Sequence, residues 1–393
     1  MSLRLTHYCL AACLALVALS AAAVADAAAV ADAAAVADAP AIAGGERLLN
    51  VVASYPAQGA KIVALANGDC VVVWQGFSAD QNRIFSRTRT GQVWSDEGMI
   101  DAGQPGQHLY PQLAAEKNNL HLAWIRRRDQ TDTVCCARLI DGRWRHFEGL
   151  SLGEGALCDG LSVAPDGQGG TRIVYQAKQG GNSTIGLVEF DAAGRRTAHS
   201  LSAAQESPSY CLYPQALRAS TVDAVWYQSR ENTFQLVGAV RAEDGSWSRA
   251  PSSNLLPGLK TSRLPVLCEG ADGELAGLWH DSLEGRDRIL AVRRGSRISE
   301  PQIIDSRPTS HNWTPAGAIS PAGKLAVVWA GETEKGIGIF LRVDDREHAV
   351  SKAAATYCHP QLAFAPNGNL LVVWQSDVNF SGVGDIYFTE IVR

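Results

Sequence analysis

Charge of one sign is the first thing this 393-residue chain lacks. Its 35 lysines and arginines stand against 40 aspartates and glutamates, a formal net charge of −5, and no basic stripe runs through any segment. That balance excludes a nucleic-acid binder and a protein drawn to anionic membrane surfaces. Long apolar runs are nearly absent too. Residues 9–24 form the one extended apolar stretch, too short and too alanine-rich for a transmembrane helix, so no membrane insertion is expected after its removal. Familiar active-site signatures are missing: there is no Gly-x-Ser-x-Gly elbow, no His-Glu-x-x-His pair and no phosphate-binding loop. Cysteine spacings do not match a zinc ligand set. No cofactor, no metal and no catalytic residue are therefore assigned.

The same N-terminal run reads as a targeting segment. Arg4 gives a basic start and Ala23-Val24-Ala25 a small-residue cleavage pattern, which assigns residues 1–25 to a signal peptide. Leu10-Ala11-Ala12-Cys13 has the residues of a lipoprotein cleavage box, but it precedes the apolar core instead of following it. The AAAVAD repeats through Asp38 have nothing to bury, so residues 26–44 are assigned to a disordered spacer. Residues 45–393 remain as the folded part of a periplasmic or secreted protein. Seven cysteines survive processing: Cys70, Cys135, Cys136, Cys158, Cys211, Cys268 and Cys358. An odd number leaves at least one unpaired or bonded to another chain. Cys158 and Cys211 fall close together in adjacent repeats and form a candidate disulfide. Cys70, which aligns with Leu325 and Leu370, is expected in the core.

What the chain has is a repeat. Seven apolar segments end in an aromatic, at Trp74, Trp124, Tyr175, Tyr227, Trp279, Trp329 and Trp374, in steps of 50, 51, 52, 52, 50 and 45 residues. Turn pairs such as Asn67-Gly68, Asp166-Gly167 and Asp272-Gly273 precede these segments, and such pairs tolerate the positive φ of tight hairpins. A fixed period of this size with β-type content predicts an all-β fold, a seven-bladed β-propeller of four-stranded blades. The last unit runs out after its third strand. Residues 46–52 form an orphan strand at the other end, and are expected to complete blade 7 and remove its free edge.

In such a ring, the first strand of each blade (A) begins on the face where the second (B) ends. That mouth gathers Gly59, Tyr110, Cys158, Tyr213, Leu264, Thr314 and His359, with His108, Cys211, Arg263, Trp313 and Tyr357 just ahead of them. Gln75, Gln176, Gln228, His280 and Gln375 follow strand B. Eight of the ten tryptophans occupy two repeat positions, whereas Trp313 falls outside the pattern and at the mouth. An exposed indole offers an apolar face and one donor, which suits a sugar ring or a protein hot spot. Candidate ligand-binding residues are thus Trp313, Tyr110, Tyr213, His359, Arg263, His280, Gln75, Gln176, Gln228 and Gln375. Two bland alternatives stand beside them: Tyr-Pro pairs as a structural strand opening, and glutamines that only satisfy loop backbone.

The phrase from Pro360 to Tyr387, with Pro-Asn-Gly-Asn-Leu-Leu-Val-Val-Trp-Gln-Ser-Asp at its centre, resembles blades of the sialidase-like, BNR-type propellers of exported bacterial proteins. The resemblance implies a propeller and a glycan-related role. The departures are specific: Trp94-Ser95-Asp96-Glu97-Gly98 and Asp244-Gly245-Ser246-Trp247 do not complete an Asp-box, and Ser262-Arg263-Leu264-Pro265 echoes the arginine motif in the wrong blade and without its aromatic. A sialidase also has six blades and an arginine triad. The expectation is therefore a recognition module for a glycan, or for an envelope or extracellular protein. A sialidase-like glycoside hydrolase and a structural subunit of an envelope complex remain as alternatives.

Overall fold

The structure, a computed structural model, describes residues 42–50, 56–202, 211–217, 222–230, 233–250, 266–270, 273–294, 299–306, 311–334, 336–351, 357–376 and 384–392. The expected signal peptide and nearly all of the expected spacer lie outside them. Among the described residues, no helix is long and apolar enough to cross a membrane.

Seven antiparallel sheets form a seven-bladed β-propeller, one sheet per repeat. The A strands are Ala57–Ala64, Gln107–Glu116, Leu157–Pro165, Cys211–Ala216, Val266–Glu269, Asn312–Ile319 and Tyr357–Phe364. They line the centre, and six of the seven neighbouring pairs of A strands pack together. The B strands are Cys70–Ser78, Asn119–Arg128, Thr171–Gln179, Ala224–Arg230, Leu275–Leu283, Leu325–Thr333 and Leu370–Ser376. Both faces of strand B are apolar because each meets a neighbouring blade. Val71 and Val73 pack toward blade 2 with Leu120, Leu122 and Trp124, while Val72 and Trp74 pack toward blade 7 with Leu371 and Val373. The terminal aromatics fill these junctions, Trp74 and Trp374 with no exposed surface at all.

Blade 7 closes the ring with a strand from the other end of the chain. Ile42–Leu48 pairs with Asp385–Ile391, joining Ile42 to Ile391 and Leu48 to Tyr387. The closing strand begins four residues ahead of the 46–52 expected, and inside the segment assigned as spacer. At this junction Arg89 meets Glu390 at 2.6 Å, with its guanidinium over the Phe388 ring, and Trp94 packs edge-on against the same ring at 5.0 Å. Burial alone would raise the Glu390 carboxyl, but Asn369 and Arg89 hold it below the usual range.

The candidate disulfide is not formed. Cys158 is a free thiol whose Sγ lies 3.3 Å from the Gly160 carbonyl oxygen. It packs into the junction between blades 2 and 3, away from blade 4, which carries Cys211. Cys70, Cys135, Cys136 and Cys268 are likewise free and buried, and burial pushes all five thiols up to about 12. They act as small apolar fillers.

Candidate functional site

The mouth is built from a repeated irregularity. In five blades strand A slips register against strand B, between Gln58 and Lys61, Leu109 and Gln112, Leu212 and Gln215, Trp313 and Ala316, and Cys358 and Gln361. The extra pairs are Gly59-Ala60, Tyr110-Pro111, Tyr213-Pro214, Thr314-Pro315 and His359-Pro360. The first residue of each is left-handed, with φ of 64°, 56°, 51°, 47° and 51°. Proline suits the second place, since an unpaired position has no use for its missing N–H. The Tyr-Pro pairs are therefore a structural device, as the bland alternative held. Glycine, however, fills the left-handed place without strain in blade 1 only. Tyrosine, threonine and histidine there each carry roughly 1 kcal/mol or more of backbone strain.

These strained positions carry the exposed side chains. Tyr110 is 46% exposed, Tyr213 56%, and His359 is also exposed. In blade 3 the slip is shorter, between Cys158 and Gly160, and leaves Asp159 beside Lys178 in an exposed ion pair. Arg263 and Leu264 lie outside the described residues.

The four glutamines do not face the mouth: Gln75, Gln176, Gln228 and Gln375 are all buried, at 1–6% exposure. They correct the expectation of a glutamine-lined site. Tyr110 donates its backbone N–H to Gln75 Oε1 at 3.1 Å, so a glutamine of blade 1 braces the bulge of blade 2. Gln75 Nε2 in turn donates to Asn82 Oδ1 at 2.9 Å, and Gln176 Nε2 to Ser183 Oγ at 2.9 Å. His108 is also internal. It has no exposed surface, accepts the Trp124 indole N–H at Nδ1 (2.9 Å), and lies 3.1 Å from Asp101. Burial and the Arg83 charge hold it below the usual histidine range despite Asp101.

Asp101 belongs to a motif that the sequence analysis missed. The third strands (C) are Gln81–Thr90, Thr131–Ile140, Asn182–Phe190, Thr233–Arg241, Arg286–Arg294, Gly336–Val343 and Asp385–Ile391. The fourth (D) are Val93–Trp94 with Gly98–Met99, Arg143–Ser151, Arg196–Ser200, Trp247–Arg249, Gln302–Ile303, Arg346–Ala349 and, in blade 7, Ile42–Leu48. At the exit of strand D in five blades an apolar residue is followed by a small polar one: Leu49-Asn50, Ile100-Asp101, Leu201-Ser202, Ile304-Asp305, Val350-Ser351. Each polar side chain accepts the N–H of an isoleucine in strand C, namely Ile386, Ile84, Ile185, Ile289 and Ile339, at 2.6–2.9 Å. The apolar partner donates its own N–H to the same isoleucine's carbonyl at 2.7–2.9 Å. Asp305 extends the motif into blade 6, where Asn312 donates to it at 3.0 Å and accepts from the Trp329 indole at 3.0 Å. The sequence signal was present as an apolar-polar pair at repeat spacing.

Between blades 5 and 6 the same frame carries a more open cluster. Trp313 is half-buried, stacked on His311 with ring centroids 6.1 Å apart and planes 9° from parallel. Its indole donates to Asp287 Oδ2 at 3.1 Å, and Ser282 donates to Asp287 Oδ1 at 2.6 Å. His311 Nδ1 accepts the Asp287 backbone N–H at 3.3 Å. Burial would raise the Asp287 carboxyl, but the bonds from Ser282 and Trp313, with His311 close by and the charge of nearby His280, keep it below its usual range. The carboxylate thus fixes the indole's edge while His280, half-buried, lies alongside. Three guanidiniums on this face are committed to carboxylates: Arg83 to Asp101 at 3.4 Å, Arg127 to Asp132 at 2.8 Å and Arg288 to Asp305 at 2.5 Å. At the opposite end of the channel a cavity of about 320 Å³ is lined by Glu116, Asp166, Arg172 and Glu269, with Arg172 already paired to Glu189 and Asp223.

No protein-family model matches the chain, and no curated protein does. Solved structures are similar in fold. An ulvan lyase, a polysaccharide lyase, superposes with a TM-score of 0.52 at 10% identity, over 88% of this chain and 96% of its own. A protein of unknown function from Dyadobacter fermentans gives 0.49 at 11% identity, over 89% and 98%. A sialidase from Streptococcus pneumoniae gives 0.46 at 10%, over 90% of this chain and 70% of that one. At such identities the likeness is one of fold.

Proposed function

We propose that the protein is an exported, periplasmic or secreted, recognition module that holds a glycan at the mouth of the propeller channel. The observation that carries this is the set of strained bulge positions. Glycine would relieve them, yet they carry exposed Tyr110, Tyr213 and His359, and the start of strand A in blade 6 adds a tryptophan whose indole is held in place by Asp287. Aromatic faces with fixed orientation and a few donors are what a pyranose ring needs, and pre-ordering them lowers the entropy lost on binding. A fold shared with a polysaccharide lyase is compatible with this role. The sialidase-like hydrolase gains less support: Arg83, Arg127 and Arg288 are each tied to a buried carboxylate and not open to grip a substrate. Arg263 remains part of the proposed surface from its place in the repeat.

The test is glycan-array binding by the purified protein beside Trp313→Ala. Specific binding that is lost in a variant with unchanged melting supports the reading. Absence of binding by the folded wild type rules out the glycan and redirects the search to protein partners of the envelope by pull-down.

A further inference from the structure

The rim of bulge residues has a gap. Tyr110, Tyr213, Thr314 and His359 fill the left-handed positions of blades 2, 4, 6 and 7, but blade 1 has Gly59, where a Cβ would meet nothing within 4 Å. The inner strand of blade 1 packs between those of blades 7 and 2, so His359 and Tyr110 flank this notch.

Two residues along the same strand is Lys61. Its counterparts in the repeat, Gln112, Gln215, Val266, Ala316 and Gln361, are uncharged. Ala60 and Ile62 pack toward blade 7, so Lys61, alternating with them, faces the inner strand of blade 2. Gln215 shows what this position otherwise does, its Oε1 accepting the Leu267 N–H of the next blade at 3.0 Å. An ammonium has no acceptor and cannot repeat that bond. Among the described residues no carboxylate pairs with Lys61. Burial lowers its ammonium to about 8, with no acidic charge acting against that. His359 is lowered as well, by its protein surroundings and then by the charge of Lys61. A half-buried cation without a counter-ion destabilises the fold that holds it, and other blades manage without one.

We propose that the notch at Gly59 is an anion subsite, in which Lys61 binds the carboxylate of an acidic glycan with His359 and Tyr110 at its rim. This rests on the mouth being a glycan-recognition site and names the class of glycan. The bound carboxylate supplies the missing counter-charge and accepts charge-assisted hydrogen bonds. Gly59 leaves the approach open where any other rim residue would close it.

The experiment compares oligogalacturonides as free acids with their methyl esters, which differ only in the carboxylates, and uses sulfate as a bare oxyanion. Binding is read by calorimetry and by the shift in Tm, for wild type and Lys61→Met. The variant keeps the apolar stem and removes an unpaired charge, so it is expected to melt no lower than wild type. The expected result is at least tenfold tighter binding of the acid than the ester by wild type, and equal binding of both by Lys61→Met. Equal binding by wild type, or an acid preference that survives in Lys61→Met, overturns the subsite and leaves the mouth a recognition site. If neither sugar binds but sulfate raises the Tm of wild type and not of Lys61→Met, the subsite stands and the glycan reading falls. No response to any of the three overturns the subsite.

Discussion

Acidification should weaken this propeller through one buried histidine, His121. It lies in strand B of blade 2, is 1% exposed, and its Nδ1 is 2.7 Å from Thr171 Oγ1 while Nε2 has no hydrogen-bond partner among the described residues. Burial, then the charge of Arg138 opposite it in strand C, lowers it from 6.5 to about 4, with Asp166 acting weakly the other way. In the unfolded chain it titrates near its ordinary value. Between pH 6.5 and 4 the unfolded chain therefore binds a proton that the folded one refuses. The stability this group contributes is complete above pH 6.5, declines as pH falls, and is exhausted near pH 4. A gap of two to three pK units corresponds to about 3 kcal/mol. His121→Gln keeps a hydrogen-bonding group near Thr171 and cannot titrate. Urea unfolding from pH 7.5 to 4 should show wild type losing about 3 kcal/mol more than the variant. His108, His348 and His359 are lowered as well, so the difference between the two proteins is the quantity that matters. Parallel pH profiles would refute the assignment.

The strand-exit motif should be graded by charge. Asp305→Ala strips acceptors from Arg288, Ile289 and Asn312 at once and should cost about 3–5 kcal/mol. Ser351→Ala removes one bond to the Ile339 N–H and should cost about 1–2 kcal/mol; equal costs in denaturant titration would contradict the motif. A chain ending at Tyr387 loses buried Phe388 and Ile391, the Arg89–Glu390 ion pair and part of the closing strand's partner. Its loss should exceed about 5 kcal/mol, comparable to a whole domain's stability, and a cooperative melt near wild type's would refute that.

The architecture was legible because it rests on period and polarity. Seven aromatics at near-constant spacing, turn glycines between them and a missing last strand were enough to give blade count, order and closure. The mouth was legible only in outline. Tyr110, Tyr213 and His359 were placed by the repeat and are exposed there. Gln75 and His108 were placed equally well, yet point inward, because side-chain direction at a bulge depends on which residue is extra and not on spacing. The strand-exit motif escaped notice because asparagine, aspartate and serine do one job in different blades and no single letter recurs. Asp287 was missed for a related reason: it belongs to strand C, whereas the candidates were drawn from the ends of A and B.

The closing strand also fixes when folding can finish. Among the described residues, 42–48 pair with 385–391 alone, so a strand made early waits for one made late. Six blades can assemble before it, but the seventh stays an open edge until residues 385–391 are in place, and the junction between blades 7 and 1 cannot pack before then. Contacts this distant in sequence form slowly. An unfinished ring therefore persists for a time with exposed strand edges, and during that time the protein is most vulnerable to proteolysis and to pairing with another copy of itself.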